Sequence, residues 1–478
     1  MADRSKATQP PGGRGMPNVE KRERLKLPHI PIAKRPPQER IQDFCEVTLT
    51  YSPEQAVAEA SRCVECAKPP CEKACPLHNP IKDWLVLTAE GKFLDAAHLS
   101  RTTSNMPEVC GRICPQDRLC EDVCIVGVKH PPVAIGAIEK FINEYAFAAE
   151  GLPLPPVAAP SGHRIAVVGS GPAGLACAEE LVKFGHHVTV YESAPRPGGL
   201  LRYGIPGFKL EKSVVDRRVD YLERLGVEFV CSTRVGEEVS LQELTDGGFH
   251  AVYLATGATV PKHPAMPGME LQGIEDALPF LIRNNREDGR PEDDLTGMQV
   301  VVLGGGDTAM DCLRTSKRLG AVSVTCVYRR DEANMPGSRR EVQAAKDEGV
   351  VFTWLRAPVR FLDNGAGGVR AIEVLQMELG EPDADGRRKP VPIEGSNFEI
   401  EADLVILAFG FDGSPVASAD GPKVTKWGTY EVNEDAMTTT PGIFAGGDVV
   451  RGADLVTTAL ADGRTAAHAI DRYLAEQA

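Results

Sequence analysis

Apolar and polar positions follow two different rhythms along the chain. From position 164 onward, short apolar runs rich in β-branched residues alternate with stretches of helical period. Arg164-Ile-Ala-Val-Val168 is such a run. Glycines, a helical pattern and a second run, His187-Val-Thr-Val-Tyr191, follow it. That order predicts a βαβ unit. It recurs at Gln299-Val-Val-Val-Leu303 and Ser323-Val-Thr-Cys-Val-Tyr328. Two such units predict two nucleotide-binding domains of one general fold, a duplicated architecture rather than a short repeat.

Upstream the pattern is helical and interrupted by cysteines. Ser52 to Cys66 reads as a helix, with Ser52 as its cap and Pro53 at its first position. Ile81 to Ala97 and Ile135 to Ala149 are two more. Residues 1–40 read as a flexible arm, and 41–160 as a helical domain closed by the proline-rich stretch Gly151 to Pro160.

Composition narrows the function class. The 478 residues are 42% hydrophobic and 25% charged, as in globular proteins, and about three domains are expected. No apolar run is long enough to span a membrane. Met1 to Lys34 lacks the apolar core of a secretion signal, so a cytoplasmic, reducing location is expected. The net charge of −14 argues against nucleic-acid binding.

The first glycine-rich loop is Gly169-Ser-Gly171-Pro172-Ala173-Gly174. Its first glycine permits a tight turn, its second lets a pyrophosphate approach the backbone, and its third lets helix and strand pack. The helix that follows turns free N–H groups toward the phosphates. Glu192 ends the next strand, where a carboxylate accepts hydrogen bonds from ribose hydroxyls. The second loop is Gly304-Gly-Gly306-Asp307-Thr308-Ala309, and its following strand ends in Arg329 and Arg330. Guanidinium groups there suit a 2′-phosphate. The first site should favour a nucleotide with a free 2′-hydroxyl, and the second NADPH over NADH.

Ala251-Val-Tyr-Leu-Ala-Thr256-Gly257 and Thr440-Pro-Gly-Ile-Phe-Ala-Gly-Gly447-Asp448 resemble the accessory motifs of two-dinucleotide flavoprotein reductases. The resemblance makes the first nucleotide FAD. It puts Asp448 on the ribityl chain, Gly199 and Leu200 near the flavin, and a helix over Asp454 to Ala467 at the ring. It also implies an FAD domain of residues 161–290 and 412–478, with an NADPH domain, 291–411, inserted in it. No cysteine pair follows the FAD fingerprint. Cys177, Cys231, Cys312 and Cys326 read as isolated apolar core residues, so a dithiol reductase is not expected. Hydride transfer at FAD needs no general base, and no catalytic side chain is nominated.

Eight of the other nine cysteines fall in two blocks, Cys63-x2-Cys66-x4-Cys71-x3-Cys75 and Cys110-x3-Cys114-x5-Cys120-x3-Cys124. Disulfides, zinc and iron–sulfur clusters are the candidates. The Cys-Pro ending resembles a ferredoxin run, and a flavin gives clusters a use as one-electron carriers.

Together these motifs resemble the small (beta) subunit of bacterial NADPH-dependent glutamate synthase. Ile113-Cys-Pro-Gln-Asp-Arg-Leu-Cys120, Tyr203 to Lys212, Gly304 to Cys312, Tyr328-Arg-Arg-Asp331 and Asn334-Met-Pro-Gly-Ser338 are the most specific stretches. The N-terminal half is also similar to dihydropyrimidine dehydrogenase. The resemblance implies an α/β chain: a helical iron–sulfur domain, then two Rossmann-like domains, the NADP domain inserted in the FAD domain. It implies NADPH oxidation at FAD, two [4Fe–4S] clusters, and a large (alpha) subunit in a hetero-oligomer. That subunit makes L-glutamate from L-glutamine and 2-oxoglutarate. Cys63, Cys66, Cys71 and Cys124 would hold one cluster. Cys75, Cys114, Cys120 and Glu139 would hold the other, leaving Cys110 spare. A stand-alone NADPH:acceptor oxidoreductase, a dihydropyrimidine dehydrogenase-like reductase module and a zinc-bearing scaffold are the competing readings.

Overall fold

The computed structural model describes residues 21–285, 291–382, 388–418 and 421–477. Contacts divide the chain into two compact units. One comprises the residues up to Lys34 together with Thr48–Pro153, and the other Arg35–Val47 with the chain from Leu154 onward.

The first unit is helical. Ser52 caps Pro53–Ala60 in a capping box with Gln55. The expected helix from Ile81 to Ala97 is two helices, Ile81–Ala89 and Phe93–Arg101. Gly91 parts them at φ +76°, a conformation that a left-handed turn demands and glycine adopts freely. Ile135–Glu150 packs its apolar face on these helices. Phe93 meets Phe141 edge-on, with centroids 5.0 Å apart, around a fully buried Trp84.

The second unit holds two five-stranded parallel sheets. The first runs Ile443–Ala445, Ala251–Leu254, Arg164–Val168, His187–Tyr191, Glu228–Val230. The second runs Ile274–Asp276, Leu404–Leu407, Gln299–Leu303, Ser323–Tyr328, Val351–Trp354. The last strand of the first sheet thus comes from the far side of the second sheet in sequence, as an insertion requires. An antiparallel sheet, Arg356–Asp363, Val369–Pro382, Arg388–Pro392 and Phe398–Glu401, extends the inserted part.

Two expected boundaries move. The second sheet starts before residue 290, because Ile274–Asp276 pairs with Leu404–Leu407 and Ala277–Asn284 joins the core around Val300 and Leu313. That strand has only three residues, two of them acidic, so it gave no apolar run to read. The expected flexible arm of residues 1–40 is packed at its C-terminal end. Residues 1–20 lie outside the described residues, but Arg40 is 2% exposed and Arg35–Val47 packs with the second unit. Among the described residues, no helix is long and apolar enough to cross a membrane.

Candidate functional site

Buried polar pairs bring the cysteine blocks together. Glu59 and Arg62, both buried, pair at 2.6 Å. Arg62 donates to the carbonyls of Pro131 and Pro132 at 2.5 and 3.0 Å, and Glu59 accepts from Ala134 N–H at 2.9 Å. The segment after Cys124 is thereby fastened to the helix that leads into Cys63. Cys63, Cys66, Cys71 and Cys124 line one cavity, walled by Val64, Pro69, Pro70 and Leu85.

A second group forms where helix Pro107–Ile113 meets helix Ile135–Glu150. The approach needs glycine: a Cβ on Gly111 would stand 2.5 Å from the Lys140 nitrogen. Cys75, Cys110, Cys114, Cys120 and Glu139 perturb one another there. Burial, then the charge of Glu108, pushes Glu139 up to about 8. Cys110 is not set apart, since its thiol shares a hydrogen bond with the Cys114 thiol and faces Ser104 Oγ at 3.9 Å. Five candidate donors therefore gather in this second group.

Burial also pushes Cys63 up to about 11, Cys71 to about 12 and Cys75 to about 11. A thiol must lose its proton to bind iron, so a cluster held here would itself have to stabilise these thiolates. Among the described residues, no three His, Cys, Asp or Glu side chains are arranged to hold a single metal ion.

In the second unit the two glycine loops divide their labour alike. A Cβ on Gly169 would lie 2.4 Å from the Ala255 carbonyl oxygen, and one on Gly174 would lie 2.0 Å from that of Gly169. On Gly304 it would lie 2.4 Å from the Ala408 oxygen. Those glycines serve close packing, and Ala309 takes the third position fully buried. On Gly171 or Gly306 a Cβ would meet nothing within 4 Å. The second glycine of each loop faces open space at the start of its helix, Pro172–Lys183 or Asp307–Arg318. A phosphate fits there.

Other groups converge on the first loop. Gly199, at φ +50°, stands so close that its Cβ would lie 2.8 Å from Cα of Gly171. Leu200 opens the short helix after it. Gly447 approaches Ala173, and Gly463 on helix Val456–Gln477 presses on the Ala173 carbonyl. Asp448 follows, its carboxyl pushed up to about 6 by burial. Thr256 Oγ1 is buried with no hydrogen-bond partner, and Gly257 beside it is open. Open glycines and an orphaned hydroxyl along one edge suit a dinucleotide.

Glu192 differs from expectation in its surroundings. Its Oε2 accepts from Ser170 N–H at 3.1 Å and from the Ser170 hydroxyl, and its Oε1 from Ala194 N–H at 2.7 Å. It braces the loop as well as offering its remaining lone pairs. At the second loop, Asp307 accepts from Ser338 N–H at 2.9 Å, and Gly337 N–H donates to Gly305 at 2.9 Å. Asn334–Ser338, marked by the sequence only as a stretch of family resemblance, thus packs on this loop. Thr308 is half-buried in the first helical turn. Arg329 is exposed, while Arg330 Nε donates to the Arg388 carbonyl at 3.0 Å. Cys177, Cys312 and Cys326 are core residues, but Cys231 is partly exposed at a strand end.

Residues 40–151 match the family model for dihydropyrimidine dehydrogenase domain II, 4Fe–4S cluster, and residues 163–463 match that for pyridine nucleotide-disulphide oxidoreductase. The glutamate synthase [NADPH] small chain of Azospirillum brasilense is 48% identical, over 92% of this chain and 93% of its own. That of Escherichia coli is 43% identical, over 94% of this chain and 98% of its own. The chain belongs to the glutamate synthase small-chain family. Escherichia coli putative oxidoreductase AegA is 46% identical over 90% of this chain, which spans 67% of AegA. Among solved structures, FprA of Mycobacterium tuberculosis shares the fold of the second unit. It has a TM-score of 0.58 at 22% identity, over 66% of this chain and 85% of its own. In the small-chain family, then, the cysteine-bearing unit of this chain is a 4Fe–4S domain and the two-sheet unit an oxidoreductase domain.

Proposed function

We propose that the chain is the electron-input subunit of a glutamate synthase. It oxidises NADPH at FAD and delivers the electrons through two [4Fe–4S] clusters to a large (alpha) subunit. That partner forms L-glutamate from L-glutamine and 2-oxoglutarate. The reading places the assembly in the cytoplasm. One observation supports it: a single chain joins two open glycine turns, at Gly171 and Gly306, to a helical unit with two groups of clustered, largely half-buried thiols.

FAD, when bound, supplies a hydride acceptor that can release its electrons singly. In this reading Gly169, Gly171 and Gly174, with Pro172 and Ala173, hold its pyrophosphate at the helix N-terminus. Glu192 holds the ribose, Asp448 the ribityl chain, and Thr256, Gly257, Gly199, Leu200 and Gly447 line the path to the ring. Gly304, Gly306, Asp307, Thr308 and Ala309 form the NADPH pyrophosphate turn, and Arg329 and Arg330 take the 2′-phosphate. Cys63, Cys66, Cys71 and Cys124 hold one cluster. Cys75, Cys114, Cys120 and Glu139 hold the other. No side chain acts as acid or base; the chain's work is to orient two rings and exclude competing acceptors.

The test is spectroscopic and then biochemical. Purified chain should absorb as a flavin and as iron–sulfur clusters, bleach with NADPH, and capture a large subunit that makes glutamate only in its presence. Protein lacking flavin absorbance would sink the reading. A stand-alone oxidoreductase is the second reading, favoured by the similarity to AegA. NADPH turnover with a soluble acceptor, together with no capture of a large subunit, would select it.

A further inference from the structure

The segment Arg35–Val47 packs with the second unit, although the residues before and after it belong to the first. It forms a strap that touches both nucleotide-binding halves. On the flavin half, Val47 N–H donates to the Phe208 carbonyl at 3.0 Å, and the Phe44 and Phe208 rings lie 6.2 Å apart. On the NADP half, Arg40 Nε meets Glu348 Oε1 at 2.7 Å, and another Arg40 nitrogen donates to the Ala344 carbonyl at 3.1 Å. Arg35 grips Asp43 through two bonds, of 2.7 and 2.6 Å, which fixes the strap's own bend.

Glu348 is a hub. It also takes Arg314 at 2.8 Å and Arg318 at 2.8 Å, and it is itself buried. Those two guanidinium groups lie 4.5 and 3.9 Å from the centre of the Phe208 ring. The contacts close a circle: Arg40, Glu348, Arg314 with Arg318, Phe208, and back to the strap. Arg40 thus reaches the same buried carboxylate as Arg314 and Arg318, while Arg314 also pairs with Glu341 at 2.6 Å, so the strap and the helix bearing Arg314 and Arg318 share one anchor. Arg314 and Arg318 sit on the helix that begins at the second glycine loop, and Phe208 lies just beyond the Gly199–Tyr203 turn.

We propose that Arg40 is a positioning residue for hydride transfer: through Glu348 it holds the nicotinamide-binding half in register with the flavin half. This rests on the reading that the two halves bind NADPH and FAD. In that transfer the C4–H bond of NADPH breaks and the hydride passes, with both electrons, to flavin N5. NADP+ is left, and a solvent proton completes the reduced flavin. Register matters because a displacement near 1 Å can cost about 100-fold in rate.

The experiment uses the full chain loaded with its cofactors. R40M should slow flavin bleaching by NADPH by about 10- to 100-fold. The Kd for NADPH should stay within about twofold, since no phosphate contact is touched. Amide exchange should quicken at residues 206–212 and 307–318, with or without nucleotide, and stay unchanged at Ile165–Val168. R40K should recover part of the rate. An unchanged bleaching rate in R40M, or a loss explained wholly by weaker NADPH binding, would overturn the proposal. If R40M cannot be recovered with flavin, F44L decides by the same rate and exchange readouts. Wild-type protein that NADPH fails to bleach would refute the functional reading itself. A bleaching wild type with an unaltered R40M would refute only the role of Arg40.

Discussion

Lys212 Nζ lies 3.2 Å from the carbonyl oxygen of Leu201 and also donates to the carbonyl of Ile205. This amine at the start of helix Lys212–Leu225 ties down the turn that follows Gly199. Burial, reinforced by the charge of Arg202, pushes its pKa down to about 7. A neutral amine still has the two N–H bonds that these carbonyls use.

A pH dependence of stability follows. Between about 7 and the ordinary lysine value, the unfolded chain binds a proton at Lys212 that the folded chain does not. Unfolding free energy therefore rises with pH across this window, by at most about 1.4 kcal/mol per unit. Denaturation of wild type and K212M, followed by flavin fluorescence at pH 7 to 9, should show the wild-type advantage growing with pH. A difference that is flat in pH would mean that Lys212 stays charged.

The glycine loops predict a graded series. Gly171 and Gly306 have φ near −68° and −86° and open space at the Cβ position, so G171A and G306A should fold. The added methyl then occupies the phosphate's approach. Losing one or two charge-assisted bonds should weaken FAD binding in G171A, and NADPH binding in G306A, by about 10- to 100-fold. G169A combines φ +99° with a clash at the Ala255 oxygen and should not accumulate as folded protein. Flavin content and NADPH KM separate the three.

Nucleotide choice should rest mostly on Arg329, which is exposed at the strand end while Arg330 is partly held by the Arg388 carbonyl. R329A should raise KM for NADPH about tenfold or more and leave that for NADH nearly unchanged. Equal rises for both coenzymes would remove the 2′-phosphate assignment.

Iron content tests the donor set of the second cluster. C110S should keep about eight irons per chain, whereas C114S should keep about four. Loss of half the iron in C110S, with full retention in E139A, would make Cys110 the eighth ligand.

Much of the site was legible in the sequence because it is encoded locally. The βαβ runs, the glycines of each turn and the residue ending each second strand depend on period, φ and a fixed spacing. All three survive reading one segment at a time. The strand Ile274–Asp276 and the break at Gly91 were harder, since one is too short for a period and the other separates two stretches of the same helical period.

What the amino-acid order determined by itself was the inventory of chemistry: thiols in two blocks, two glycine turns, one acidic and one basic strand end. What the tertiary structure decided was which distant groups meet. Cys124 faces Cys63 because Arg62 and Glu59 capture Pro131–Ala134, and Cys110 joins the second thiol group because Gly111 lets two helices touch. Arg40 reaches Glu348 across 308 residues. No local pattern encodes such pairs. They exist because each buried charge must find a partner, and only the folded chain fixes which partner is within reach.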